Sequence, residues 1–234
     1  MNVKDVISAV ITLMKPTISF TGAVLSNPTS LTVLAEKSVL NKLFVGQRIR
    51  LTKSDASVDY GTIASIGTTS FVITIPATSL HTNPYDSAGV VLVFDHGHPL
   101  EIVNRVKEYS ESDTLKFESF PRICLFHDFE EKMTYQKNVT CTIVIVTDTS
   151  KDYTASQRYT YTFDPTLTPL YDLFIEMLAC ADNVETTEGN YFKHTKIDRL
   201  YWGKNGLYGN SGNIFNDYID AIEINNLELI INNC

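Results

Sequence analysis

The chain has 234 residues, a net charge of −8, 44% hydrophobic and 20% charged residues, which excludes wholesale disorder and fits one large domain or one medium domain with a smaller one attached. The charge is uneven: residues 1–95 carry seven Lys/Arg and six Asp/Glu, whereas residues 96–234 carry twelve and twenty-one, a balance of −9. An acidic body of this kind does not hold nucleic acid by neutralising phosphates, which needs clustered Lys and Arg.

Residues 2–15 are predicted to form a helix. Val3, Ile7, Val10, Ile11 and Met14 fall on one face, Asn2 is placed to cap the start, and Lys15-Pro16 ends it because proline pushes its predecessor out of the α region. Residues 17–95 then change to Thr, Ser, Val and Ile with turn residues at short intervals. Short strands are expected at Thr17–Phe20, Leu31–Leu34, Gln47–Thr52, Gly61–Ile66, Phe71–Ile75 and Val90–Phe94, with a turn at Asn83–Asp86. The run Phe44–Leu51 followed by Gly61–Ile66 resembles paired strands of small SH3-like barrels. Residues 17–95 are therefore read as an inserted all-β barrel-like domain, with residues 1–16 and 96–234 forming the main domain.

Residues 96–120 form a polar bridge in which Leu100, Val103, Val106 and Tyr109 fit either a short helix or an edge strand. Ile123–Phe126 is expected to be a strand. Asn138–Thr147 is β-branched almost throughout with apolar residues on both faces, the mark of a central buried strand. Arg158–Phe163 alternates with period two, so it is expected to pair with that strand as a hairpin whose polar arm is Asp148, Thr149, Ser150, Lys151, Asp152, Tyr153, Thr154, Ala155, Ser156 and Gln157. Thr166–Ala181 carries a broad apolar stripe after Asp164-Pro165 and reads as a helix. Gly203–Gly212 is a glycine-rich loop, and Asp217–Ile231 is one or two strands, with Asn225-Asn226 as a bulge or a turn. The whole is of α+β class, a mixed or antiparallel sheet flanked by helices.

Four constellations carry residue types suited to chemistry. Asp95-His96-Gly97-His98-Pro99 places two imidazoles close together, a pair that could ligate zinc or iron on a strand, but no third histidine stands at ligand spacing, so a strand-end turn is the favoured reading. His127-Asp128 lies at a strand end without any nucleophile elbow. Tyr201-Trp202-Gly203-Lys204, with Tyr208, could stack on a sugar, but an interface or a partly buried core edge is the favoured reading. The four cysteines, Cys124, Cys141, Cys180 and Cys234, are widely spaced and include no close pair suited to zinc, in keeping with a reducing compartment. No catalytic, cofactor or metal site is assigned, and neither a signal peptide nor a membrane-spanning run is read.

The order of these elements carries a resemblance. The N-terminal amphipathic helix, the Phe120–Phe129 strand region, the arm leading to Tyr159–Pro165, the helix beginning Thr166-Leu-Thr-Pro-Leu-Tyr-Asp-Leu-Phe174 and the closing Asp217–Leu229 segment look like the tail terminator, tail completion or related neck ring proteins of tailed bacteriophages. The match covers residues 1–15 and about 118–234; the insertion at 17–95 departs from it and leaves a hub or baseplate position open. The resemblance implies a non-enzymatic virion protein, assembled in the host cytoplasm into a homo-oligomeric ring, often a hexamer. Such a ring caps the tail tube, joins it to the connector and lets DNA pass without specific binding. The Asp148–Gln157 arm is then the expected contact with a neighbouring subunit, by strand addition or wrapping. A glycan-binding or adhesion module, built on the barrel and Trp202, is the alternative.

Overall fold

The computed structural model describes residues 2–16, 18–20, 24–27, 29–75, 84–112, 116–127, 130–133, 136–186, 191–203 and 218–232. They divide into two compact units, one formed by Lys15–Val91 and the other by Met1–Met14 together with Leu92–Cys234. Both sheets and helices are present, and the chain is of α+β class.

Helix α1 (Val3–Leu13) starts where expected: the Asn2 side-chain oxygen accepts from the Asp5 backbone N–H at 2.9 Å, satisfying one of the orphan amides of the first turn. Its Val3, Val6, Ile7, Val10 and Ile11 side chains are buried.

The Lys15–Val91 unit contains β1 (Ile18–Ser19), β2 (Val24–Asn27), β3 (Ser30–Leu34), the single-turn helix α2 (Lys37–Leu40), β4 (Arg48–Lys53), β5 (Val58–Ile66), β6 (Ser70–Thr74) and β7 (Tyr85–Val90). They form one curled antiparallel sheet in the order β1-β7-β4-β5-β6-β3-β2, a half-barrel. Leu31, Val33, Ile49, Leu51, Ile63, Phe71 and Ile73 alternate with more exposed residues and line its buried face. Gly61 lets β5 and β6 approach closely, since a Cβ there would stand 2.6 Å from Ile73 Cγ2 and 2.7 Å from the Thr74 carbonyl oxygen. The register shifts two residues later, between Ile63 and Ser65. Two expectations need correction. Tyr85 and Asp86 begin β7 rather than completing a turn, and Val90–Phe94 is not one strand. Val90 ends β7, whereas Val93 starts a strand of the other sheet, so the insertion ends at Val91 and not at Asp95.

The second sheet is built from β8 (Val93–Gly97), β9 (Arg122–Phe126), β10 (Glu130–Met133), β11 (Lys137–Asp148), β12 (Val184–Glu185), β13 (Thr195–Arg199) and β14 (Ile219–Ile231). Its spine is β12-β14-β11-β9-β8, with β10 beside β11 and β13 beside β14; β8 and β9 are parallel and the remaining pairs antiparallel. The parallel pair is joined through helix α3 (Pro99–Glu111), the usual solution because parallel neighbours need a long crossover. Ile102, Val103 and Val106 of α3 pack with Cys124, Phe126, Val144, Val146, Ile219, Ala221, Phe120 and Trp202 on one face of this sheet. The opposite face carries Ile123, Leu125, Ile143, Ile145, Ile222 and Ile224, all fully buried. Burying each such side chain stabilises the fold by about 1.5–3 kcal/mol. The expectation of a central strand buried on both faces is met by β11. Asn225 and Asn226 form a bulge: between the pairs Cys141–Leu227 and Ile143–Ile224, two residues of β14 oppose one of β11, and Asn226 takes a φ of 54°.

The expected hairpin is overturned. After β11 the chain makes a short helix α4 (Ala155–Arg158), a π-helix (Tyr159–Leu167) and helix α5 (Thr168–Ala179) in continuous succession. The period-two spacing of Tyr159, Tyr161 and Phe163 reads as a strand, but Thr154 caps a helix: its side chain accepts from the Gln157 N–H, and Gln157 Oε1 accepts from the Thr154 N–H at 2.9 Å. Once nucleated, the helix continues, and Phe163 and Leu167 are buried. Pro165 lies within the π-helix, where a wider register absorbs the loss of an amide. The π-helix packs on β11 and β14, and α5 packs on α1.

Candidate functional site

Two clusters concentrate the polar groups of the main unit. The first sits at the ends of the parallel strands. β8 stops because Gly97 turns the chain at φ 138°; a Cβ at that position would meet Glu101 Oε2 at 2.5 Å. The turn delivers His98 to the N-cap of α3, where its Nδ1 accepts from the Leu100 N–H at 3.2 Å while Glu101 accepts from the His98 N–H, also at 3.2 Å. Pro99 occupies the first turn. Within the polar bridge, Pro99–Glu111 is thus a helix, and its start signal, Pro followed two residues later by Glu, was present in the sequence.

His98 therefore does not join His96. Instead His96 Nδ1 lies 3.1 Å from His127 Nε2, with the rings near parallel at 19° and their centroids 5.2 Å apart. The strand register explains the meeting. His96 pairs with Leu125 and Gly97 with Phe126, so His127, one residue beyond β9, falls on the same face of the sheet as His96. The His96 imidazole is pushed below its ordinary range, first by partial burial and then by the positive charges of Lys4, His127 and Arg105, with Asp95 opposing. Asp128 lies outside the described residues.

Asp95 points to the other face and is consumed by two guanidiniums. Arg105 Nε donates to Oδ1 at 2.8 Å and the fully buried Arg122 donates to Oδ2, while Arg105 also donates to the His96 carbonyl at 2.7 Å. Arg122 is further covered by the Tyr109 ring, 4.6 Å away. The group ties β8, β9 and α3 together; it is an ion-pair lock and not a ligand set. Among the described residues, no group of three or more His, Cys, Asp or Glu is arranged to hold a metal ion.

The second cluster anchors the expected arm. Arg158 is fully buried and reaches in three directions: to Asp220 Oδ1 at 2.7 Å, to the Ser150 carbonyl at 2.9 Å and to the Tyr153 carbonyl at 3.3 Å. Its guanidinium lies 3.5 Å from the centroid of the Tyr201 ring. The Tyr201 N–H donates to the same Asp220 oxygen at 2.9 Å, and the Tyr201 hydroxyl donates to the Tyr153 carbonyl at 3.2 Å. Asp148 ends β11 opposite Ile219, and Thr149–Gln157 is accordingly a tethered loop and helix turn rather than one arm of a hairpin. Lys151, Asp152, Thr154, Ala155, Ser156 and Gln157 face outward. Beside them Tyr159 and Tyr161 are 40% and 58% exposed, and the Tyr161 ring packs 5.2 Å from that of Tyr153.

Trp202 is not a surface aromatic. It is 1% exposed, its indole N–H donates to Glu223 Oε1 at 3.0 Å, and its ring stacks on Phe126 at 6.3 Å. Glu223 is held in turn by Arg199 at 2.9 Å. Of the readings open to Trp202, the core one therefore holds and the sugar platform does not, and Lys204, Tyr208 and the rest of the Gly203–Gly212 loop beyond Gly203 lie outside the described residues. His194 is spanned by the Tyr171 hydroxyl and the Phe192 carbonyl, both at 2.7 Å.

In comparisons with known proteins, no protein-family model and no curated protein matches the chain. No helix among the described residues is long and apolar enough to cross a membrane.

Proposed function

We propose that the chain is a non-enzymatic structural subunit of a tailed-bacteriophage virion, forming a homo-oligomeric ring at the tail end or head–tail neck that caps the tail tube and joins it to the connector. The observation that carries this reading is the Arg158 anchor. A polar loop and two exposed tyrosines are presented on a surface whose backbone is held from beneath by a buried ion pair. Pre-organised surfaces with exposed aromatics lose little entropy on association and suit a subunit contact. The charged groups that a catalyst would need free, Asp95, Arg105, Arg122, Arg158, Asp220 and Glu223, are engaged in holding strands and helices together. The excess of acidic residues in positions 96–234 suits a lumen through which DNA slides without adhering. The segment proposed to meet the neighbour remains Asp148–Gln157, now as a loop and helix turn tethered through Arg158 and edged by Tyr159 and Tyr161 rather than as the arm of a hairpin.

The test is light scattering on purified protein from tens of nanomolar to tens of micromolar. A discrete species well above 26.2 kDa is expected. Replacing Tyr159 and Tyr161 together by Ser should shift its midpoint to at least about tenfold higher concentration, the loss of a modest interface anchor. A strict monomer across that range, or an oligomer indifferent to the double substitution, would overturn the assigned contact.

A further inference from the structure

We infer that His96 and His127 form a chelating site for one late first-row divalent cation such as Zn²⁺ or Ni²⁺. This reading is independent of the ring assignment. The two facing nitrogens, His96 Nδ1 and His127 Nε2, are 3.1 Å apart. Zinc–imidazole bonds of about 2.0–2.1 Å drawn to two nitrogens at that separation enclose an angle of about 95–100°, between the octahedral and tetrahedral values. The two nitrogens already face each other, and both backbones are held: His96 lies within β8, and the His127 N–H donates to the Gly97 carbonyl at 3.3 Å, continuing the parallel ladder one residue past β9. Imidazole nitrogen is the donor type these cations prefer. The remaining coordination positions fall to water or to an external ligand.

Proton balance is simple. In the neutral pair one facing nitrogen carries the hydrogen shared between the rings. On metal binding that ring changes tautomer, its hydrogen moves to the nitrogen on the far side, and both facing lone pairs bind the cation without net proton release. Lys4 and Arg105 near the pair act against a dication as well as against a proton, while Asp95 acts in its favour. Moderate affinity is therefore expected, well short of that of a four-ligand structural site. His98 belongs to the same sequence motif but caps α3 through its Nδ1, so it serves as the internal control.

The experiment is calorimetric titration of the untagged full chain with Zn²⁺ and, separately, Ni²⁺ at pH 7.5, alongside His96→Gln, His127→Gln and His98→Asn, with the thermal melt of each variant recorded. One cation per chain is expected. Each of the first two substitutions should weaken binding by about 100-fold, since losing one arm of a chelate forfeits its effective concentration. His98→Asn, which keeps a capping side chain, should bind as the parent does. Parent-like binding by His96→Gln or His127→Gln with an unchanged melt would overturn the site, as would absence of binding by the parent at about 100 µM cation, taken as the Kd limit, or loss of binding in a folded His98→Asn.

Discussion

Single residues differ sharply in what their surroundings allow. Cys124 is fully buried, and its thiol is pushed up to about 12, chiefly by burial and further by the nearby Asp95 carboxylate. Cys141 is also buried, whereas Cys180 is exposed. Since the thiolate is the reacting species, iodoacetamide at pH 8 should modify Cys180 in the folded protein while sparing Cys124 and Cys141 until denaturant is added. Peptide mapping after labelling checks this, and early modification of Cys124 would contradict its place in the core. Asp59 provides a pH handle. Burial works to raise its pKa, but hydrogen bonds from Lys53 and from the Tyr85 hydroxyl, together with the charge of Lys53, outweigh it and hold the carboxyl below its ordinary 3.8. A carboxyl depressed in the folded state contributes stability above its unfolded pKa, and that contribution is lost as pH falls through the folded value. Urea midpoints should therefore drop below about pH 4 more steeply in the parent than in Asp59→Asn. Gly97→Ala should cost about 1–3 kcal/mol in urea unfolding, because the methyl group meets the Glu101 carboxylate at a backbone angle reserved for glycine.

At the scale of elements, the Arg158–Asp220 pair decides whether the Asp148–Gln157 loop is ordered. Both side chains are fully buried, so removing one partner strands a charge. Arg158→Met should destabilise by about 3–5 kcal/mol, and pairing it with Asp220→Leu should recover much of that loss. Urea denaturation of the two single variants and the double variant closes the cycle; additive losses would show that the pair is not coupled. These same residues mark the limit of what the sequence disclosed. The helix α1, its Asn2 cap and strands β9, β11 and β14 were legible, because burial on one or both faces imposes an apolar period that local chemistry does not contradict. The α4–π-helix segment was misread because Tyr159, Tyr161 and Phe163 alternate, while the capping signal that overrides them, Thr154 with Gln157, lies just upstream. The His96–His127 pair was hidden for another reason. Each histidine stands in a legible strand-end motif, but only the parallel register of β8 and β9 brings them together, and that pairing spans 31 residues of sequence. For Trp202 the choice between a core edge, an interface and a sugar platform was not legible, because its partner Glu223 is supplied by a distant strand.

For the molecule as a whole, the question is what the half-barrel contributes. Its two ends are neighbours: β1 pairs with β7, placing Ile18 opposite Ala88, a Cα separation of about 4.5–5.5 Å for antiparallel partners. The chain thus leaves and rejoins the main unit through adjacent strands, the geometry of a domain inserted at one point. Its own face of Leu31, Val33, Ile49, Leu51, Phe71 and Ile73 is fully buried, and α1 retains the buried contacts it makes with α5 and β8 inside the other unit. Replacing Lys15–Val91 by a short Gly/Ser linker between Met14 and Leu92 should leave the main unit folded, since closing a loop of a few residues costs little entropy. Circular dichroism and the unfolding midpoint of the residual transition would report this; a chain that fails to fold would show that the two units are one cooperative structure. Light scattering on the same variant then tests the ring. If the contact lies at Asp148–Gln157, Tyr159 and Tyr161, all in the main unit, the truncated chain should form the oligomer of the parent with each subunit lighter by the excised segment. A folded but monomeric product would move the contact to the half-barrel and remove the tethered loop from the proposed interface.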